Sequence, residues 1–432
     1  MITQIIFFLI FAIAVVLFTI QVKKISQNIK LGRDINRSDH PTERWKVMAK
    51  VALGQTKMVR RPIAGIMHIF VYLGFIIINI EVLEIIIDGL FGTHRIFSFL
   101  GGFYNFLIGA FEILALLVLI GVIVFMARRL ILRLKRFSGV EMTAWPKADA
   151  LYILIIEVLL MTAFLTMNAA DYKLQLAGFG HYIHAGSFPV SHFLTGLLPN
   201  QPEKLELIER ACWWFHIIGI LAFLNYLPYS KHFHIILAFP NTWYSNLNNK
   251  GKFTNMSSVT NEVKAMLDPS FTPPAADAVG RFGAKDVQDL NWVQLMNAYT
   301  CTECGRCTSV CPANQTGKLL SPRKIMMDTR DRLEEVGKNK AKNGKDYEDG
   351  KSLLDDYISR EEIWACTTCN ACTDACPVNI DPLSIILDLR RYAVMEESNV
   401  TGSLNAMFSN VENNGAPWKY SPTDRLNWAK TE

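Results

Sequence analysis

The sequence has 432 residues, enough for two or three domains. Half of them are hydrophobic and the net charge is only +5, with the basic residues beside apolar runs, a pattern that argues against nucleic-acid binding and for the cytoplasmic bias of Lys and Arg next to membrane helices. The apolar residues gather before residue 240, while the last third is polar and holds eight of the nine cysteines, so a membrane part followed by a soluble part is expected.

A spanning helix needs about 20 mostly apolar residues. Five segments meet this: Met1 to about Val22, Pro62 to about Ile87, about Phe99–Ala127, about Ala150–Ala170, and a fifth from near Ala211 past Leu227. The first has no basic residue ahead of it and is followed by Lys23 and Lys24, which predicts a retained helix rather than a cleaved signal. Residues 21–61 carry eleven Lys/Arg against three acids, and 128–149 carry six against two. Residues 81–98 have one basic residue and three acids, and 169–210 have three and four. This alternation predicts five passes, with the N-terminus outside and the C-terminus in the cytoplasm. Were the fourth segment a buried soluble helix, the cysteines would fall outside, against the loop charges.

Histidine in hydrocarbon is costly without a partner, and haem iron in a helical bundle is held by side chains from facing helices. His68 lies about two turns into the second helix, on the cytoplasmic side. His216 lies near the outer end of the fifth. Read as one helix, residues 216 and 234 are five turns apart, on one face and roughly 27 Å from each other, with His232 almost opposite. Pro228 introduces a kink that weakens this geometry. Depth pairs His68 with His234 as ligands of a haem b, with His232 as the fallback; the alternative for His232 or His234 is an interfacial contact with lipid phosphate. One haem is favoured and two are allowed. For a second, His216 would need a partner near Ile78 or Asn79, neither a good ligand, or one of the loop residues His94, His181, His184 and His192. With one haem, His216 becomes a quinone or hydrogen-bond partner. Glu112 and Glu157, inside the third and fourth helices, are candidates for a quinone or proton path, or are neutral hydrogen-bonded carboxyls. Arg60 and Arg61 are placed either to meet haem propionates or simply to anchor the second helix.

The cysteines form two runs, CTECGRCTSVCP and CTTCNACTDACP. Spacing this tight rarely suits disulfides. It is the pattern of paired [4Fe–4S] clusters, in which the remote fourth cysteine of each run serves the other cluster. One cluster is therefore expected on Cys301, Cys304, Cys307 and Cys376, and the other on Cys366, Cys369, Cys372 and Cys311. Zinc would be satisfied by four ligands and gives no reason for a duplicated run ending in Pro. No nucleophile or base follows either run, so the pair reads as a wire rather than a site of bond chemistry. The ninth cysteine, Cys212, reads as a buried thiol. Pro322 to about Leu333, Ser352–Ile363 and Pro382–Glu396 read as helices, and Lys338–Lys351 as a charged loop. The expected fold is mainly α: a five-helix transmembrane haem b-type bundle over 1–238, a linker and docking segment over 239–290, an α-helical dicluster ferredoxin-like domain over 291–397, and an extended tail over 398–432. PSFTPPAADA in the linker cannot form a long helix.

The membrane stretches GIMHIFVYLGFI and WWFHIIGILAFLNYLPYSKHFHI resemble the nitrate reductase gamma subunit family. CTECGRCTSVCPANQTGKLLSPRK and CPVNIDPLSIILDLRR resemble the dicluster half of the heterodisulfide reductase family. Together they are similar to membrane iron–sulfur oxidoreductases that link electron-transfer flavoprotein to menaquinone. The resemblance implies an electron-transfer subunit in a bacterial inner membrane, with menaquinone as its membrane substrate and surrounding lipid. The gamma family places two histidines on the second helix, whereas this sequence has His68 alone. The cysteine-rich CCG module of many relatives is missing, so a CCG-type chain or an electron-transfer flavoprotein is the expected cytoplasmic partner. Two other readings are a membrane subunit of a quinol-dependent disulfide or sulfur-compound reductase, and a non-catalytic redox sensor or anchor.

Overall fold

The computed structural model describes residues 1–272 and 281–430, and these are mainly helical. Part of the Pro-rich stretch PSFTPPAADA lies outside the described residues. Among the described residues, five helices are long and apolar enough to cross a membrane: α1 (Ile2–Ile29), α2 (Pro62–Phe91), α3 (Gly102–Leu130), α4 (Ala144–Ala177) and α5 (Pro202–Tyr226). Pro62 and Pro202 open their helices, where a missing N–H costs nothing. Gly92 and Gly178 close α2 and α4 in the left-handed conformation. Along α1, Ile5, Phe8, Leu9, Ile13 and Val16 are exposed, while Phe7, Ala14 and Ile25 are buried. An apolar stripe of this extent needs lipid against it. Small residues let the helices approach: a Cβ at Gly89 would stand 2.7 Å from the Phe7 ring, and one at Gly74 would meet Val118.

The fifth helix departs from expectation. α5 stops at Tyr226, two short 3-10 turns follow, at Leu227–Tyr229 and Lys231–Phe233, and a new helix, α6 (His234–Trp243), begins at His234. His216 and His234 therefore do not share a helix face. Pro228 removes a donor from the ladder, and Asp149 captures the freed segment by accepting from the Tyr226 hydroxyl at 2.5 Å, the Ser230 hydroxyl at 2.7 Å and the Lys231 N–H at 3.2 Å. α6 also runs through the boundary expected at residue 238.

The cysteine-bearing part packs α7 (Trp292–Thr300), α8 (Pro322–Asn343) and α9 (Pro382–Met395) around Leu295, Ile325, Leu333, Ile363, Ile385 and Leu389. It sits on one end of the bundle. There the Asn28 amide donates to the Tyr299 hydroxyl (2.9 Å), Arg61 to the Ser309 hydroxyl (2.7 Å), Arg60 to Asp374 (3.1 Å) and Arg323 to Glu141 (2.8 Å). α8 extends beyond the expected Leu333 to Asn343, and the charged loop after it is tied down. Buried Arg332 holds Asp286 and Asp349 at 2.7 Å each and donates to the Lys351 carbonyl. The tail carries a helix, α10 (Gly402–Asn414), where extended chain was expected, although no residue of it is buried.

Removing one partner of a buried ion pair strands the other, at a cost of about 3–5 kcal/mol. Arg332→Met is therefore expected to lower the unfolding midpoint of the cysteine domain by that much destabilisation, read by thermal melts in detergent.

Candidate functional site

The two cysteine runs have the same backbone. In the first, Glu303 and Gly305 are left-handed (φ +54° and +68°); in the second, the equivalent Thr368 and Asn370 are (φ +56° and +61°). These turns bend the chain so that three thiols of each run face one region. A five-residue helix follows each, Arg306–Val310 and Ala371–Ala375, and the two helices pack on one another, bringing Cys311 and Cys376 across. Cys301 and Cys307 each feel Cys304 and Cys376 electrostatically, and Cys366 feels Cys311 and Cys369. Cys307 also feels Cys372, of the second run.

Burial pushes the Cys301 and Cys372 thiols up to about 12 and Cys376 to about 11, with neighbouring thiols adding to the effect. Such thiols become thiolates only beside a compensating positive charge, which bound iron supplies. Backbone N–H groups of Thr368 and Ile380 point at the sulfurs of Cys366 and Cys376, at 3.4 and 3.3 Å. Among the described residues no three His, Cys, Asp or Glu side chains converge as a single-ion site. Cys369 is exposed, whereas Cys301, Cys311 and Cys372 are buried.

A cavity of ≈ 380 Å³ runs from the cysteine domain into the bundle. Its wall includes Cys304, Pro377 and Val378 at one end, then His68, His232 and His234, and then Glu157 and His216. The rings of His68 and His234 have centroids 6.5 Å apart. An imidazole nitrogen lies about 2 Å from a bound metal, and its ring centre roughly another ångström back, so this separation leaves room for one metal ion between the two rings. His68 Nδ1 is buried without a partner. His234 Nδ1 lies 3.0 Å from the Lys231 carbonyl, which sets the tautomer that leaves Nε2 free for a metal. His68 and His234 thus fit a haem b. His232 is brought to the same wall, 5.5 Å from His234, because the broken helix puts both residues on one turn.

His216 is buried with Nδ1 3.0 Å from the Leu160 carbonyl. His94, His181, His184 and His192 are not on the cavity wall that His216 borders. Glu157 is on that wall. Glu112 is not: it accepts from the Asn168 amide (3.2 Å) and from the N–H groups of Val190 (2.9 Å) and Ser191 (3.0 Å), and so anchors the loop before α5. Arg60 and Arg61 contact the cysteine domain instead of the cavity.

The sequence pattern did not point to the cavity's cations, Arg128, Arg129, Arg136 and Arg306. Burial pulls the Arg136 guanidinium down, with Arg61, Arg128 and Arg306 adding repulsion, and its Nε and Nη1 are buried without a partner. Unpaired buried guanidinium groups fit an anionic ligand group such as a propionate. Lys231 was missed as well. It reaches Glu303, between Cys301 and Cys304, and donates to the Pro146 carbonyl at 2.7 Å. Burial raises the Glu303 carboxyl, but Lys231 and Arg330 outweigh it and hold it below the ordinary range. The signals were a Lys directly before His232 and a Glu inside a C-x-x-C, both placed where only pairing makes burial tolerable.

The family described as a 4Fe-4S dicluster domain matches residues 300–380. The C-terminal part contains a 4Fe-4S dicluster domain. The chain is 30% identical to a probable iron-sulfur-binding oxidoreductase, FadF, of Bacillus subtilis, over 98% of this chain and 60% of that one. It is 26% identical to the EtfAB:quinone oxidoreductase of Syntrophomonas wolfei, over 94% of this chain and 56% of that one. It is 36% identical to one component of the ferredoxin/F(420)H(2)-dependent CoB-CoM heterodisulfide reductase of Methanosarcina acetivorans, over 23% of this chain and 49% of that one. These relatives are iron–sulfur oxidoreductases, as the motifs led one to expect. The chain spans somewhat more than half the length of the first two. No solved structure matches it.

Lys231→Met leaves Glu303 with Arg330 alone and loosens the dicluster domain from the bundle. Breaking the buried pair is expected to cost about 3–5 kcal/mol. Protease sensitivity of the residue 227–233 turn, compared with wild type, checks it; an unchanged digestion pattern and melting midpoint would contradict it.

Proposed function

We propose that the chain is the membrane electron-transfer subunit of a quinone-linked oxidoreductase. It passes electrons between a cytoplasmic redox partner and menaquinone, with two [4Fe–4S] clusters and one haem b as resident carriers. The observation that carries this reading is the shared cavity: a cysteine of the first run and the facing pair His68 and His234 stand on one wall. When bound, the clusters and haem supply one-electron chemistry. Cys301, Cys304, Cys307 and Cys376 hold one cluster, and Cys366, Cys369, Cys372 and Cys311 the other. His68 and His234 hold the haem iron, and Arg136 and Arg306 meet its propionates. Glu157 and His216 line the deep end of the cavity, where a quinone headgroup finds one acidic and one imidazole partner.

The dicluster domain lies in the cytoplasm, in keeping with the basic loops at its end of the bundle. The exposed Cys369 marks the side from which a partner reaches the second cluster. The name of the Syntrophomonas relative supports an electron-transfer flavoprotein as that partner. A second reading follows from the Methanosarcina relative: a quinol-dependent disulfide reductase whose CCG-type partner chain occupies the same side.

Reduced-minus-oxidised spectra of the purified protein test the haem assignment. His68→Ala and His234→Ala are each expected to lose the haem b bands, while His216→Ala keeps them; bands surviving in both of the first two sink it. Crossed ligation is tested by comparing Cys301→Ser with Cys376→Ser. Both are expected to abolish the same cluster signal in electron paramagnetic resonance and leave the other, whereas loss of different signals rules out the pairing.

A further inference from the structure

The end of the bundle remote from the cysteine domain holds a second buried charge cluster that the relay does not use. Glu81, Glu84, Asp88, Glu112, Asp171 and Arg95 are all buried, and the Arg95 guanidinium pairs directly with Asp171. In four of these carboxylates both oxygens accept hydrogen bonds. Asp88 accepts from the Arg95 and Ile96 N–H groups, at 2.8 and 3.2 Å. Glu84 accepts from the Phe97 N–H (2.8 Å) and the Tyr104 hydroxyl (3.0 Å). Asp171 pairs with Arg95, and Glu112 binds Asn168 and the loop as described. Glu81 is the exception: it is 3% exposed, and its Oε2 is buried with no hydrogen-bond partner.

The groups that face Glu81 are Glu84 on its own helix, Arg95 from the following loop, Glu112 from α3 and Asp171 from α4. Residues 2–22 of α1 bring no charge. Five carboxylates around one guanidinium cannot all be ionised in a low-dielectric bundle, because like charges at close range force a proton onto one of them. Glu81, whose Oε2 alone lacks a donor, is the carboxyl placed to carry that proton.

Its position gives that proton somewhere to go. Ile78 and Val82, one turn before Glu81 and directly after it, line the redox cavity. On the other side, Asp171 lies 3.7 Å from His94, and the His94 ring is 5.0 Å from that of His181, which is exposed at the far surface. We propose that Glu81 is an exchangeable proton site linking the redox cavity to the face of the membrane remote from the dicluster domain. The transport role rests on the quinone reading above. Oxidation of one quinol releases two electrons and two protons; the electrons pass through the chain's redox groups to the oxidised form of the cytoplasmic redox partner, and the protons leave one at a time by way of Glu81, His94 and His181. The proton site itself stands without that reading.

The test uses the full chain in liposomes, first reduced electrochemically with no quinone present. Its infrared difference spectrum is expected to show a carboxylic-acid C=O band that shifts in D2O, is lost in Glu81→Gln, and returns displaced in Glu81→Asp. A band unchanged in Glu81→Gln, or no such band in the wild type, overturns the proposal. The chain is then reoxidised, and a menaquinol analogue is added with a trapped pH dye and excess external ferricyanide as the electron acceptor. Glu81→Gln is expected to slow proton release about 100-fold, with Glu81→Asp partly restoring it. Wild type that shows the band but takes no electrons from quinol defeats the quinone reading and leaves the proton site standing. Quinol oxidation with unimpaired proton release in Glu81→Gln defeats the transport role. Haem and cluster spectra of each variant report whether it has folded.

Discussion

The buried ammonium of Lys231 is the fixed point between the two halves of the chain. It lies on the turn that breaks the fifth membrane segment, and it reaches Glu303 inside the first cysteine run, the Pro146 carbonyl at the start of α4, and Asp149 at 3.7 Å. Its own carbonyl sets the tautomer of His234. A charge this far from water is tolerable only when its hydrogen bonds are complete. The turn, the cysteine loop and the start of α4 are therefore located together or not at all, and the cavity takes its shape from them.

The two ends of the bundle carry opposite imbalances. At the dicluster end, Arg128, Arg129, Arg136 and Arg306 line the cavity, and Arg136 has buried nitrogens without a partner, as suits an anionic ligand. At the remote end, carboxylates outnumber the one guanidinium, as suits bound protons. Buried away from bulk water, neither imbalance is well screened by solvent or salt, so each favours a ligand or a proton. The cavity lies between them, with His68 and His234 nearer the first and Glu157 and His216 deeper in the bundle.

Much of this was legible in the sequence. Five apolar runs became five helices, because a run of that length has few ways to satisfy its backbone except as a helix in lipid. The matching turns of the two cysteine runs followed from their spacing, since residues three apart on a tight turn stay close whatever surrounds them. The face argument for His216 and His234 failed, because it assumed one continuous helix. Pro228 gave the warning, but whether a proline kinks a helix or ends it depends on what captures the freed segment, here Asp149, 81 residues before the Ser230 hydroxyl it accepts from. Arg60 and Arg61 were read as propionate or membrane anchors, and they hold the dicluster domain instead.

The sequence by itself determined the local terms: hydrophobic length, loop charge, cysteine spacing, and His68 as the one imidazole in α2. Only the tertiary structure decided which buried polar groups find partners. It brought His68 within a ring-to-ring distance of 6.5 Å of His234, left Arg136 and Glu81 short of partners, and paired Lys231 with Glu303 across 72 residues. The reason is physical. Backbone geometry and hydrophobic burial are set within a few residues, whereas the state of a buried charge is set by whatever the fold places beside it.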